Sequence, residues 1–71
     1  MSYLVTIDKR TAIETSHHET RQLALDHMSE IARDLKRDGW HMLKGFALDD
    51  SKAWWLGKND DITKITLDEA A

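Results

Sequence analysis

The segment Trp40–Gly57, WHMLKGFALDDSKAWWLG, decides the fold predicted for this chain. It contains all three tryptophans and the single phenylalanine of the sequence. Strand-forming residues lie on both sides of DDSK, a run of residues that favour turns. The segment is therefore predicted to form two antiparallel strands, at about residues 40–48 and 53–57, which fold back on each other.

The two tryptophans at the end of this segment define the main structural question. Trp54 and Trp55 are adjacent in a predicted strand, so their side chains point to opposite faces of the sheet unless a bulge intervenes. In the preceding strand, strict alternation places Met42 and Phe46 on one side and Leu43 on the other. We expect the first pair under the helix and Leu43 outside, with the inverse arrangement and the choice of tryptophan left open.

The chain ahead of this hairpin is predicted to contain a strand and a helix. A strand is expected at about residues 3–8, where β-branched and aromatic side chains occupy every second position. The alternation continues to Ile13 without an intervening Gly, Asn or Pro, so residues 3–15 form either one long edge strand or two short strands.

A helix is predicted at about residues 17–38. Ser16 and Glu19 match a capping box at its start, and Gly39 supplies the left-handed residue that commonly ends a helix. Apolar residues recur along one face at helical spacing. They are Ala24, Met28, Ile31 and Leu35.

The order of elements predicts an α+β fold, β-α-β-β-β, in one small domain that spans residues 1–71. A last strand is expected at about residues 62–67, after a turn at 58–61, and the acidic tail 68–71 is expected to fray. The strands form one mostly antiparallel sheet with one long helix on one face. If the first strand and the strand after the helix are neighbours, a right-handed crossover makes that pair parallel.

Size and composition restrict the classes of function. The chain has 71 residues, no cysteine and a formal net charge of −3 with acids and bases interspersed. A core this small often needs a second subunit, so a homodimer is predicted. The basic face typical of nucleic-acid binding is lacking. Neither a signal peptide nor an apolar segment of about 20 residues is found, which predicts a cytoplasmic protein with no membrane partner.

A binding surface is predicted on the helix-free face of the sheet. One tryptophan exposed beside leucine and lysine forms an apolar patch, and tryptophan is enriched at interface hot spots. The alternative is that these side chains pack within the domain and have no functional role. The candidate contact residues are Trp54, Trp55, Leu43, Lys44, Lys64 and His41.

Three functions are consistent with such a surface. The first is a non-enzymatic protein-interaction or regulatory module, such as a phage-type inhibitor, whose partner is another protein or a second copy. The second is single-stranded nucleic-acid binding, with bases stacked on the exposed aromatic beside lysines. The third is an acidic surface that mimics nucleic acid. Its residues would be Asp49, Asp50, Asp60, Asp61, Asp68 and Glu69.

No catalytic centre, cofactor site or small-molecule substrate is predicted. The four serines fall at a terminus, a helix cap, a helix exterior and a turn, without the histidine and acid that activate a nucleophile. His27, Glu30 and Asp34 share one flank of the helix at a spacing that can hold a metal ion. Two of them are acids typical of a solvated helix face, so no metal is expected.

Overall fold

The computed structural model describes residues 2–48 and 51–70, which form one helix and one five-stranded sheet. The elements in chain order are β1 Ser2–Asp8, β2 Ile13–His18, α1 Arg21–Arg37, β3 His41–Leu48, β4 Ser51–Lys58 and β5 Asp61–Ala70. The strands lie in the order β2-β1-β5-β4-β3, and every neighbouring pair is antiparallel. The predicted fold class, α+β with one sheet and one helix on one face, is confirmed.

Two strands, rather than one long strand, precede the helix. The amide of Lys9 donates to the carbonyl of Ala12 at 2.9 Å, which closes a turn between β1 and β2. On its other side β1 pairs with β5, so β1 and β3 are not neighbours. The condition for the parallel pair considered from the sequence, that these two strands are neighbours, is therefore not met.

The helix begins at Arg21, and the prediction of a start at about residue 17 is wrong. Ser16 lies in β2 opposite Val5 and does not cap the helix. The N-cap is Thr20, in an extended conformation, whose Oγ1 accepts a hydrogen bond from the amide of Leu23 at 3.1 Å. Both residues are of the type that caps helices, and the pairing of β2 with β1 decides between them.

The C-terminus of the helix follows its sequence signal. Gly39 has a φ of 97°, in the left-handed region that favours glycine. The amide of Gly39 donates to the carbonyl of Lys36, and the amide of Trp40 donates to that of Leu35. These two bonds form a Schellman motif, which satisfies the last carbonyls of the helix and turns the chain into β3.

The two hairpins after the helix are longer than predicted. Of the predicted turn DDSK, residues 49 and 50 lie outside the described residues and the other two belong to β4. Asn59, with a φ of 56°, starts the tight turn between β4 and β5. Residues 68–70 do not fray, because they continue β5 and pair with the start of β1. Ala71 lies outside the described residues.

The core lies between α1 and the middle of the sheet. Side chains at alternate strand positions meet the apolar face of the helix, where the helix contacts mainly β1 and β5. The buried members of this cluster are Val5, Ala24, Met28, Ala32, Leu56, Ile65 and Leu67. Ile31 and Leu35 pack against the cluster, as the helical spacing predicts. Within the described residues, α1 is neither long nor apolar enough to cross a membrane.

Candidate binding surface on the open face of the sheet

The sheet face that lies away from α1, here called the open face, presents Trp55 on β4, next to the edge strand β3. Trp54 packs against the core, so the neighbouring Trp55 points to the opposite side. The register places Lys44 of β3 and Lys64 of β5 directly across from Trp55. Three of the predicted contact residues therefore form one row across three strands.

The two lysines of this row approach the tryptophan ring. Lys44 Nζ lies 5.4 Å and Lys64 Nζ 5.2 Å from the ring centroid of Trp55. Both distances are within the range of cation–π contacts. Neither ammonium lies within 4.0 Å of a carboxylate of residues 2–48 or 51–70. Both positive charges are thus available to a bound partner.

Phe46 adds a second aromatic ring to the open face. Its centroid lies 5.6 Å from that of Trp55, with the ring planes inclined by 31°. Met42, by contrast, pairs with the buried Leu56 and lies on the helix side. The expectation that Met42 and Phe46 share the helix side is therefore wrong.

A β-bulge explains why these two side chains separate. The register of β3 against β4 shifts between Met42 and Lys44, so Leu43 is the extra residue. The alternation changes at this point, and Leu43, Lys44 and Phe46 all lie on the open face. Leu43 packs over β4 at Gly57, where an added Cβ would lie 2.8 Å from Leu43 Cδ1. Glycine at this position makes room for the leucine.

The remaining candidate residues lie at different places. His41 is exposed on the open face across from Gly57, at the end of β3. Trp54 is separated from this face by the sheet itself, and its ring lies over Gly45, where an added Cβ would be 3.1 Å from Cδ1. Trp54 is therefore not brought together with the other candidates.

Ile62 joins the open face although sequence reasoning did not include it. It lies across from Gly57, next to Leu43, and 54% of its surface is exposed. A shallow cavity of about 330 Å³ lies beside it, between Trp55, Lys64 and the turn after β1. The signal was present in the alternation of Ile62 with Lys64 along β5.

A histidine pair lies on the helix side of the sheet, between β2 and α1. The rings of His18 and His27 have their centroids 4.9 Å apart, and Ser16 Oγ lies 2.9 Å from His18 Nε2. The sequence did not predict this Ser–His contact because it placed Ser16 at a helix cap. The ring of His18 contacts that of His27, and no ion pair joins His18 to a carboxylate of residues 2–48 and 51–70. In a hydrolytic triad, by contrast, an acid orients the histidine. Within residues 2–48 and 51–70, no three His, Asp or Glu side chains form a group that could hold a metal ion.

We expect this histidine pair to make the stability of the protein depend on pH. Desolvation, followed by the proximity of His27 and His17, lowers the pKa of His18 below its ordinary value of 6.5. The unfolded chain then binds a proton at His18 more readily than the folded chain. The folded protein is therefore stabilised by keeping His18 neutral. This contribution to the free energy of unfolding is present above pH 6.5 and is lost as the pH falls below that value. Melting temperatures measured from about pH 8 to pH 5 should fall, and His18→Gln should reduce the fall.

The matched control for this experiment is His41→Gln, on the other edge of the sheet. It should leave the pH dependence of the melting temperature as in the wild type. His27→Gln should reduce the dependence, because it removes one of the charges that oppose protonation of His18. Equal slopes in all four proteins would contradict the assignment.

Comparisons of the chain with protein-family models, with curated proteins and with solved structures find no match. Function must therefore be inferred from the chemistry of the surface. The open face is the candidate site, since it combines aromatic, aliphatic and cationic side chains in adjacent positions.

Proposed function

We propose that this protein is a small non-enzymatic binding module whose open face binds a protein partner. The partner segment is proposed to carry apolar side chains together with one or two carboxylates. If the bound segment is one that the partner needs for its own function, binding would regulate or inhibit the partner. The observation that carries the proposal is the row Lys44–Trp55–Lys64, bordered by exposed apolar side chains.

The apolar part of the surface supports contact with protein side chains. Phe46, Leu43 and Ile62 are exposed by 48%, 58% and 54% of their surfaces, and they share the open face with Trp55. Contiguous apolar patches on small proteins commonly mark interaction sites. A tryptophan at the centre of such a patch has the composition and the position of an interface hot spot.

The cationic part of the surface supports a partner with negative charge. Lys44 and Lys64 hold their ammonium groups over Trp55, where no carboxylate of the described chain neutralises them. A carboxylate placed above the tryptophan would meet both lysines, and a partner lysine there would be repelled. This arrangement favours acidic over basic segments.

Single-stranded nucleic acid is the second candidate partner. The two neighbouring rings of Phe46 and Trp55 favour it, because bases can stack on exposed aromatic side chains of an open sheet. The electrostatics favour it less. Among the described residues, two lysines lie over Trp55, and the nearby Lys9 and Arg10 are paired with carboxylates. The chain has a net charge of −3, whereas affinity for nucleic acid depends on neutralising several phosphates.

The acidic-mimic hypothesis receives little support from the positions of the acids. Asp61 starts β5 and pairs with Arg10 at 3.1 Å, whereas Asp68 lies near the other end of the same strand. Asp49 and Asp50 lie outside the described residues. Acids at opposite ends of a strand do not form the closely spaced negative row that a phosphate backbone presents.

A displayed peptide library, panned against the immobilised protein, tests the proposed function. We expect enriched peptides that combine aromatic or aliphatic residues with aspartate or glutamate. Trp55→Ala should weaken their binding at least tenfold, about 1.4 kcal/mol, because it removes the central anchor. Lys64→Glu should weaken it as well, and Lys36→Glu is the matched control, since it makes the same charge change on the helix.

Three outcomes would contradict this function. The first is a set of selected peptides without acidic residues, and the second is binding to Trp55→Ala as tight as to wild type. The third is an equal loss of affinity in Lys36→Glu. Binding of a labelled oligothymidine, measured by fluorescence anisotropy at about 50 and 200 mM salt, tests the second candidate, single-stranded nucleic acid. Binding that falls steeply with salt and is lost in Trp55→Ala would favour nucleic acid.

A further inference from the structure

We infer that two copies of this chain pair through their β3 strands, antiparallel and edge to edge, to form a two-fold symmetric dimer. The five strands of each copy would then form one continuous sheet. The open face would be doubled in width, with Trp55 of each copy still uncovered. The pairing is argued from β3 itself and does not depend on which partner the open face binds.

The first observation is that β3 exposes apolar side chains on both of its faces. Met42, 41% exposed, lies on the helix side, whereas Leu43 and Phe46, 58% and 48% exposed, lie on the open face. A partner that docks on one face of the sheet covers only one of these groups. A strand added alongside β3 reaches both and also binds the backbone groups that an edge strand leaves free.

The second observation is the contrast with the other edge of the sheet. Along β2, Glu14, Ser16 and His18 point to the helix side, and Thr15 and His17 to the open face. Polar and charged side chains of this kind protect an edge strand from pairing with another chain. Ile13 is the single large apolar residue of β2. After its bulge, β3 carries one charged side chain, Lys44, so it is the less protected of the two edges.

The third observation concerns charge, and it favours a second copy over a different protein. In an antiparallel pair centred on Gly45, Lys44 of one copy lies across from Phe46 of the other. Ammonium groups then meet aromatic rings rather than each other, which makes the strand complementary to itself. The bulge at Leu43 limits regular backbone hydrogen bonding to the part of β3 that follows it, Lys44–Leu48. In this register Met42 and Leu43 still lie alongside the end of the partner strand, across from its positions 48 and 47.

The size of the core gives a reason for the assembly. The core cluster that joins α1 to the sheet has seven buried residues. Two of them, Ala24 and Ala32, have small side chains. Domains of this length often obtain further stability from a second subunit. Pairing at β3 would bury Met42, Leu43 and Phe46, which the single chain leaves exposed.

The test is the molar mass in solution, by light scattering or sedimentation equilibrium from about 1 to 500 μM, a range that spans typical weak self-association. We expect twice the chain mass of 8.2 kDa at high concentration and dissociation on dilution. Met42→Lys and Phe46→Lys, which place a charge on either face of the same strand, should each raise the dissociation constant at least tenfold. Ile13→Lys, at a residue 67% exposed on the opposite edge, should leave it unchanged.

A fourth variant distinguishes edge pairing from contact between two open faces. Ile62 lies on the open face of β5, which β4 separates from the edge strand β3, so Ile62→Lys should leave the edge pairing intact. Loss of the dimer in Ile62→Lys, loss in Ile13→Lys, or a wild type that stays monomeric at every concentration would each overturn the inference. Circular dichroism verifies that each variant is folded. If Met42→Lys or Phe46→Lys is not folded, the experiment uses Met42→Thr or Phe46→Thr instead, because threonine favours strands.

Discussion

Replacing Leu56 with alanine is expected to lower the free energy of unfolding by about 3–4 kcal/mol. Leu56 is fully buried in β4, inside the cluster that joins the sheet to α1. Its truncation removes apolar contacts and leaves a cavity that the neighbouring side chains fill only in part. A domain of 71 residues is typically stable by about 4–10 kcal/mol, so this loss would leave it close to unfolding at 37 °C.

Leu43→Ala is the matched control, because it makes the same truncation at an exposed leucine of the neighbouring strand. Leu43 is 58% exposed, and its removal is expected to cost about 1 kcal/mol or less. Urea unfolding followed by circular dichroism measures both values. Equal losses at the two positions would show that the core does not lie where the structure places it.

The adjacent tryptophans should respond differently to the same truncation. Trp54→Ala is expected to cost about 3 kcal/mol, the low end for a core tryptophan, because the ring packs against the core but stays partly exposed. Trp55→Ala is expected to cost about 1–2 kcal/mol, since its ring contacts Phe46 and two lysine side chains on the open face. Partner binding, by contrast, should be lost in Trp55→Ala.

Thermal unfolding and peptide binding of the two variants, measured together, test this assignment. A folded Trp54→Ala protein with normal binding, beside an unfolded Trp55→Ala protein, would mean that the two faces are exchanged. If binding decreases in both variants only in proportion to the unfolded fraction, the open face is not the binding site.

Local chemistry in the sequence predicted the features that depend on neighbouring residues. The helix ends just before Gly39, because a left-handed residue there satisfies the last carbonyls and glycine adopts that conformation without strain. Trp54 and Trp55 point to opposite faces because side chains alternate along any strand. The tight turn between β4 and β5 pairs Lys58 with Asp61, and that register brings Trp55 across from Lys64. The pairing of Trp55 with Lys64 could therefore have been deduced from the turn alone.

Other features depended on contacts between distant parts of the chain. Ser16 and Thr20 are both suitable helix caps, and only the pairing of β2 with β1 assigns the first to a strand. The end of β5 is ordered because β1 lies beside it. A bulge in β3 moves Phe46 to the open face. A prediction that assumes strict alternation along the strand cannot detect this bulge.

The fold class, the end of the helix and the opposite orientations of the two adjacent tryptophans follow from the sequence alone. Which of the two tryptophans faces away from the helix, and which side chains lie beside it, depends on the packing of the whole domain. The physical reason is that the periodicity of a strand defines two faces but does not say which of them a helix covers. That choice depends on how well the packed side chains of each face fit α1, and so on the whole sheet at once.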